Sequence, residues 1–348
     1  MRLSTALLNT FALANSVLSH PGADVKAELL ERKAFLANAK RTDLSHCAAQ
    51  IKARGLEQRG IERRNAIAQE KSKRGFIKRD PSDLNKTHMS DAHFGPQTPL
   101  DVVFGTNTSC VLSPEVIEGP YYVAGESIRR NIAEKEPGIP LFVDLAIYDT
   151  TTCEPIPDLW VEIWACNSTG IYSGVASGGD YSDAPENLDT SFLRGFQQSD
   201  QDGALQFEAI FPGHYSGRTQ HIHIMVHPNA TARENMTISD TTASHVGQMY
   251  FDQDLIDAVE KIAPYNTNTQ PITLNSEDTL LASGLETSDP IMQYVLLGDS
   301  VEDGILSWLS FGIDTDYATT VYAAATRYKE GGVANNETAP IPSGITPP

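Results

Sequence analysis

Beyond about residue 100, apolar residues recur at every second position, in runs too short for helices and separated by Gly, Pro, Asn and Asp. The runs are "LFVDLAIYD" (141–149), "LWVEIWACN" (159–167), "ALQFEAIF" (204–211), "HIHIMVH" (221–227), "GQMYF" (247–251) and "ILSWLSFGID" (305–314). A period of two gives a strand one face for a core and one for its surroundings. Helical periodicity in this stretch is confined to "DQDLIDAVEKIAP", with Asp252 placed to cap the helix and Pro264 to stop it. The expected fold is therefore mostly β: an antiparallel β-sandwich of the immunoglobulin or prealbumin kind, with long loops, over residues 80–330. The tail, residues 331–348, is rich in Gly and Pro and is expected to be disordered.

The N-terminal part reads differently. Residues 1–19 have Arg2 followed by a short apolar run with small residues at Val17 and Ser19, the pattern of a secretory signal peptide cut after Ser19. Residues 20–79 are expected to form a basic helical arm or pro-segment, solvated on most sides. Two dibasic pairs, Lys73-Arg74 and Lys78-Arg79, read either as processing sites or as part of an uncleaved arm. Residues 1–79 hold 16 Lys and Arg against 7 Asp and Glu, a net +9; the other residues hold 10 against 38, a net −28. So acidic a body repels phosphate, which argues against nucleic acid or an anionic membrane as partner. Behind a signal peptide, the sequons at Asn85, Asn107, Asn167, Asn229, Asn235 and Asn336 are candidates for N-glycosylation. The cysteines are then disulfide candidates, without the close Cys-x-x-Cys pairs of a zinc site. Chain proximity favours Cys153 with Cys166, which leaves Cys47 with Cys110.

"PGHYSGRTQHIHIMVH" (212–227) carries four histidines. In a strand, His221, His223 and His227 share one face, and two imidazoles about 7 Å apart at the backbone can converge on one ion. Such a pair also fits a strand with polar residues and no metal. Tyrosines follow glycine turns nearby: Tyr172 in "GIYSG" and Tyr215 in "GHYSGR". Tyrosine titrates near pH 10, so ligation by phenolate calls for a strongly acidic metal, a condition that iron(III) meets. Either tyrosine also fits as an ordinary turn aromatic with a solvated hydroxyl.

"WVEIWACNSTGIYSG", "LRGFQQSDQDGALQFEAIFPGHYSGRTQHIHI" and "GQMYF" together resemble the intradiol ring-cleavage catechol dioxygenases, and "CVLSPEVIEGPYYVAGESIRRNI" is similar to the lead-in of their secreted, single-chain branch. The resemblance covers roughly residues 104–255. It implies a non-haem Fe(3+) held by Tyr172, Tyr215, His221 and His223 on a β-sandwich, with Arg218 and Gln248 beside it. It implies cleavage of catechol-type diols by O2 to cis,cis-muconate-type products. In that mechanism Tyr215 leaves the metal to take a substrate proton, and Arg218 stabilises charge developing on the ring and oxygen. Gln248 is expected to bond Arg218 or the reacting oxygen. Tyr121 or Tyr122 of "EGPYY" is expected to wall the ring pocket, with core packing as the other reading. His214 and His227 are read as local polar residues. The charged N-terminal helices do not match the family's dimerisation domain. Two other readings stay open: a secreted β-sandwich module holding copper or zinc at His221 and His223 without oxygen chemistry, and a copper site at His20 if cleavage exposes it as the N-terminus.

Overall fold

Alternation builds two sheets whose inner faces meet in a single apolar core. The computed structural model describes residues 44–72, 109–111, 121–176, 184–238, 240, 242–285 and 289–335. The strands, in chain order, are β1 (Ser109–Val111), β2 (Val123–Ala124), β3 (Pro140–Asp149), β4 (Trp160–Trp164), β5 (Arg194–Gln198), β6 (Ala204–Ile210) and β7 (His221–His227). There follow β8 (Thr242–Ala243), β9 (His245–Tyr250), β10 (Gln293–Leu296), β11 (Ile305–Ile313), β12 (Thr319–Thr320), β13 (Ala325–Tyr328) and β14 (Gly331–Ala334). One sheet runs β1-β11-β3-β6, with β10 also paired to β11; the other runs β5-β4-β7-β9. Leu141, Val143, Leu145 and Ile147 of β3 meet Val161 and Ile163 of β4 and Ile222, Ile224 and Val226 of β7 in that core. Each such side chain, fully buried, contributes roughly 1.5–3 kcal/mol.

The four-stranded sheet is antiparallel throughout, but the five-stranded one is mixed, since β11 lies parallel to both β1 and β3. A wholly antiparallel arrangement is thus corrected. Alternation reports which face is buried and carries no information on neighbour direction. The helix Gln253–Val259 follows Asp252 as expected, although the Asp252 side chain makes no capping bond. A second helix, Thr279–Leu285, shows that helix is not confined to the first. Nor is the whole tail without structure: residues 331–334 are β14, paired with β13, which itself runs parallel to β2. Residues 336–348, the signal-peptide stretch, His20 and the dibasic pairs lie outside the described residues.

Within the arm, the helices Ala48–Ala53 and Leu56–Lys71 lie against the outer face of the five-stranded sheet. Ile61, Ile67 and Ala68 pack on Trp308, Leu306 and Val295, and Leu44, Ile51 and Leu56 on Ala146 and Tyr148. Residues 44–72 of the arm are therefore a docked layer and not a solvated one. Their charges are part of the contact, which is why the apolar face reads as thin. Arg63 grips the buried Asp144 through Nε (2.6 Å) and Nη2 (3.0 Å), and Arg64 lies 3.5 Å from the same carboxylate with its guanidinium over the Trp308 ring. Burial pulls the Arg64 guanidinium below its ordinary range, and Asp144 opposes that.

A disulfide ties the arm to the body, between Cys47 and Cys153, with Cα atoms 5.2 Å apart. Both sequence pairings are overturned. Cys153 and Cys166 flank β4, and a strand of that length holds its two ends about 15 Å apart. Cys166 is a buried free thiol that donates to the Gly213 carbonyl (3.3 Å). Cys110 lies in β1, and its side chain is outside the described set.

Asp144→Ala should lower the unfolding free energy by about 3–5 kcal/mol, because it removes the carboxylate that both arginines meet in a largely buried interface. Urea melts read this directly. A loss no larger than that of the exposed control Glu62→Gln would show that the ion cluster does not hold the arm.

Candidate active site

Two glycine turns bring the tyrosines together. A Cβ on Gly170 (φ 83°) would stand 2.2 Å from the His214 carbonyl oxygen, and one on Gly213 would stand 2.5 Å from that of Ser168. Only glycine lets these loops pass so closely. The amides of Gly170 and Gly213 both donate to the Asn167 carbonyl (2.9 and 3.1 Å), fastening the loop before Tyr172 to the loop before Tyr215. Asn167 also accepts from Thr169 and Ile171 and donates to Glu136, so its amide is engaged in this turn. Asn229 and Asn235 are exposed, while Asn85, Asn107 and Asn336 lie outside the described residues.

The histidines come from β7, which lies between β4 and β9. Register sets Trp164, His223 and Gln248 in one row across the three strands, and His221 opposite Tyr250 in the next. His221 Nδ1 donates to the Thr219 carbonyl (2.6 Å), which fixes the tautomer and leaves Nε2 as the ligating atom. That Nε2 lies 3.1 Å from His223 Nε2 and 3.3 Å from the Tyr215 hydroxyl. Tyr172 stands beside them, its ring 5.6 Å from Tyr215 and 6.0 Å from His223. All four side chains are buried. Trp164 stacks on His223 at 4.7 Å and 5°, holding that ring in plane.

This arrangement favours neutral side chains. Burial, reinforced by the Arg218 cation, pushes His221 down to about 3. Burial raises Tyr172 and Tyr215 well above the ordinary phenol range, with Arg218 opposing the rise at Tyr215. Two imidazole nitrogens and two phenol oxygens on one small volume form a donor set that a hard trivalent cation would complete, since only a strong Lewis acid displaces phenolic protons at neutral pH. Iron(III) fits this set.

Beside the donors, Arg218 is wholly buried. Its Nη2 donates to Gln248 and to the Tyr250 hydroxyl (2.9 Å), and its Nε to Asp278 (2.9 Å). Tyr121 stacks on Tyr172 at 4.3 Å and 9° and meets Tyr215 edge-on at 5.9 Å; Tyr122 sits farther back, tilted against Trp164. Of the two, Tyr121 is the one at the donors. His214 bonds Glu260 and the Gln270 carbonyl, and His227 bonds the Thr242 carbonyl, so both are local polar residues.

Sequence reasoning missed several residues that build the site. Asn187 donates to the carbonyls of Tyr172 (2.5 Å) and Val175, and Arg194 to that of Ser173, which pins the backbone at Tyr172 and just after it. Tyr250 was legible, lying two positions from Gln248 and thus on the same face. Asp278 gave no signal beyond a generic helix start.

A family model described as a dioxygenase matches residues 117–282. The chain is 32% identical over 108 residues to a catechol 1,2-dioxygenase from Pseudomonas sp. (strain EST1001), covering 30% of this chain and 32% of that protein. It is 30% identical over 145 residues to catechol 1,2-dioxygenase 1 from Acinetobacter lwoffii, covering 38% and 43%. The chain thus spans less than half the length of these curated relatives. A solved intradiol ring-cleavage dioxygenase from Tetranychus urticae is 34% identical, with 59% of this chain and 96% of that one covered and a TM-score of 0.48. At 34% identity over 96% of that chain, the protein belongs to the intradiol ring-cleavage dioxygenase family. Members of that family are non-haem iron(III) enzymes.

His227 gives a pH prediction. Burial opposes its charge, but Asp240 and Glu162 outweigh burial and lift the imidazole to about 9. Because that lies above its unfolded value of about 6.5, its contribution is complete below about pH 6.5 and is lost as pH rises through about 9. Melting temperature should therefore fall between pH 7 and 9 more steeply in the wild type than in His227→Gln; parallel profiles would contradict the assignment.

Proposed function

We propose that this protein is an extracellular non-haem iron(III) intradiol dioxygenase that opens catechol-type aromatic diols with O2, giving cis,cis-muconate-type products. The observation that carries this reading is a buried convergence in which His221 Nε2 lies 3.1 Å from His223 Nε2 and 3.3 Å from the Tyr215 hydroxyl, with Tyr172 alongside. When bound, ferric ion would supply a Lewis acid that makes a diol ring reactive toward O2. His221 and His223 would present imidazole nitrogens to it, and Tyr172 would be the anchored phenolate, its backbone held by Asn187 and its ring by Tyr121. Tyr215 is the phenolate whose oxygen would take a proton from the incoming diol. Arg218, which cannot be deprotonated, stabilises negative charge that develops at the substrate, and Gln248 and Tyr250 hold its fork in place. The burial of the site keeps water from competing with these contacts.

The two facing sheets form the β-sandwich that carries this site, and the arm is its N-terminal helical layer. A secreted location is supported by the signal-like N-terminus, the exposed sequons Asn229 and Asn235, and the Cys47–Cys153 disulfide, a bond that persists in oxidising compartments. The small diol and O2 are the only partners this reading needs.

Purified protein loaded with ferric ion should be wine-red from tyrosinate-to-iron charge transfer and should consume O2 with one or more of catechol, hydroxyquinol and protocatechuate. Tyr172→Phe, His221→Ala and His223→Ala should each lose the colour or the oxygen uptake while remaining folded. Iron content and colour equal to wild type in all three would remove the ligand set. Colourless protein that binds zinc or copper at the histidines would favour the binding module.

A further inference from the structure

Asp278 lies far along the chain from the motifs that supply the tyrosines, the histidines and Arg218, in a loop that leads into the helix Thr279–Leu285. It is buried, and its two oxygens do different work. Oδ1 accepts from the amides of Leu280 (2.9 Å) and Leu281 (3.0 Å), capping the helix. Oδ2 accepts from Arg218 Nε (2.9 Å) and from the Thr219 amide (3.0 Å). The Thr219 carbonyl in turn receives the His221 Nδ1 proton. One carboxylate thus grips the site arginine and the backbone unit that orients a proposed ligand. On the opposite side of the guanidinium, Nη2 is held by Gln248 and Tyr250.

We infer that Asp278 is a positioning residue for ring cleavage: it holds the Arg218 fork at a fixed place beside the reacting carbon and oxygen while the cap anchors it to a rigid element. The inference rests on the dioxygenase reading. Two physical considerations support it. An arginine side chain has many rotamers, and a cation stabilises developing charge only where it is already in place, so fixing it matters more for turnover than for diol binding. The pair is also wholly buried, at 0% exposure for both side chains, where an unpaired charge is costly and a fixed geometry is enforced.

Chemistry suggests a variant that separates capping from gripping. In Asp278→Asn the carbonyl oxygen can still cap the helix, since Asn is as good an N-cap as Asp. Its amide nitrogen then points two hydrogens at the Arg218 Nε–H and the Thr219 N–H, donors against donors. The cap survives and the grip is lost.

The test is a double-mutant cycle in the full-length iron-loaded protein: wild type, Asp278→Asn, Arg218→Ala and the double variant. The readouts are iron content, the charge-transfer band, anaerobic catechol affinity, turnover and melting temperature. In the wild-type background, Asp278→Asn should leave iron, band and catechol affinity unchanged. Turnover should fall about 10–100-fold, the usual effect of removing a group that orients a site residue. In the Arg218→Ala background it should cost no further turnover. The melting temperature should fall in the first background, where a buried cation loses its partner, and rise in the second, where a buried carboxylate is neutralised. If Arg218→Ala does not fold, the double variant, which buries no charge at these positions, should; failure of both would overturn the pair. Equal loss of turnover in both backgrounds, or loss of iron on Asp278→Asn, would make Asp278 a scaffold residue only. If the wild type has no iron-dependent turnover, the dioxygenase reading fails and the positioning role with it, whereas a reversal in melting temperature would still show the ion pair.

Discussion

The four-stranded sheet is buried on both faces, and the two faces are built from opposite chemistry. One carries Val161, Ile163, Ile222, Ile224 and Met249 into the core. The other carries Glu162, Trp164, His221, His223, His227, Gln248 and Tyr250, and it is as deeply covered as the first. Polar groups in such a place must be satisfied by one another or by a bound ion. The glycine turns that seat Tyr172 and Tyr215, the Asn187 and Arg194 contacts behind them and the packing of Tyr121 all follow from covering this second face.

The same two-sidedness explains the other sheet. Its outer face would expose Phe142, Leu306 and Trp308, and the arm covers them. The arm lies on the five-stranded sheet, whereas the site lies on the far side of the four-stranded one. From that position the two described helices act through stability and not by blocking the donors. The Cys47–Cys153 bond means that a cut in the stretch after the arm would leave it attached under oxidising conditions.

What the sequence revealed and what it hid follow one physical divide. Period-two alternation in "HIHIMVH" reports a face, and a face is local, so β7 and the shared side of its histidines were legible to the residue. Glycine followed by tyrosine marked both phenols for the same reason. Partnerships between distant segments left no such trace. Cys47 meets Cys153 only because the arm folds back over the β3–β4 corner, and Asp278 meets Arg218 only through tertiary packing. Arg63 and Arg64 misled in another way: charged residues read as solvent-facing, yet here they bind a buried carboxylate. Strand direction in the mixed sheet was hidden as well, since side-chain alternation is the same for parallel and antiparallel neighbours.

The central claim is that Tyr172 and Tyr215 stay protonated in their buried setting until a ferric ion draws both protons off. Ultraviolet difference spectroscopy of the iron-free protein during stoichiometric ferric loading at neutral pH counts phenolates as they form. The account predicts that both tyrosines ionise on loading, that Tyr172→Phe and Tyr215→Phe each remove one of the two, and that zinc loading ionises neither. Ferric binding with no phenolate formed, or with a count that neither substitution changes, would contradict it.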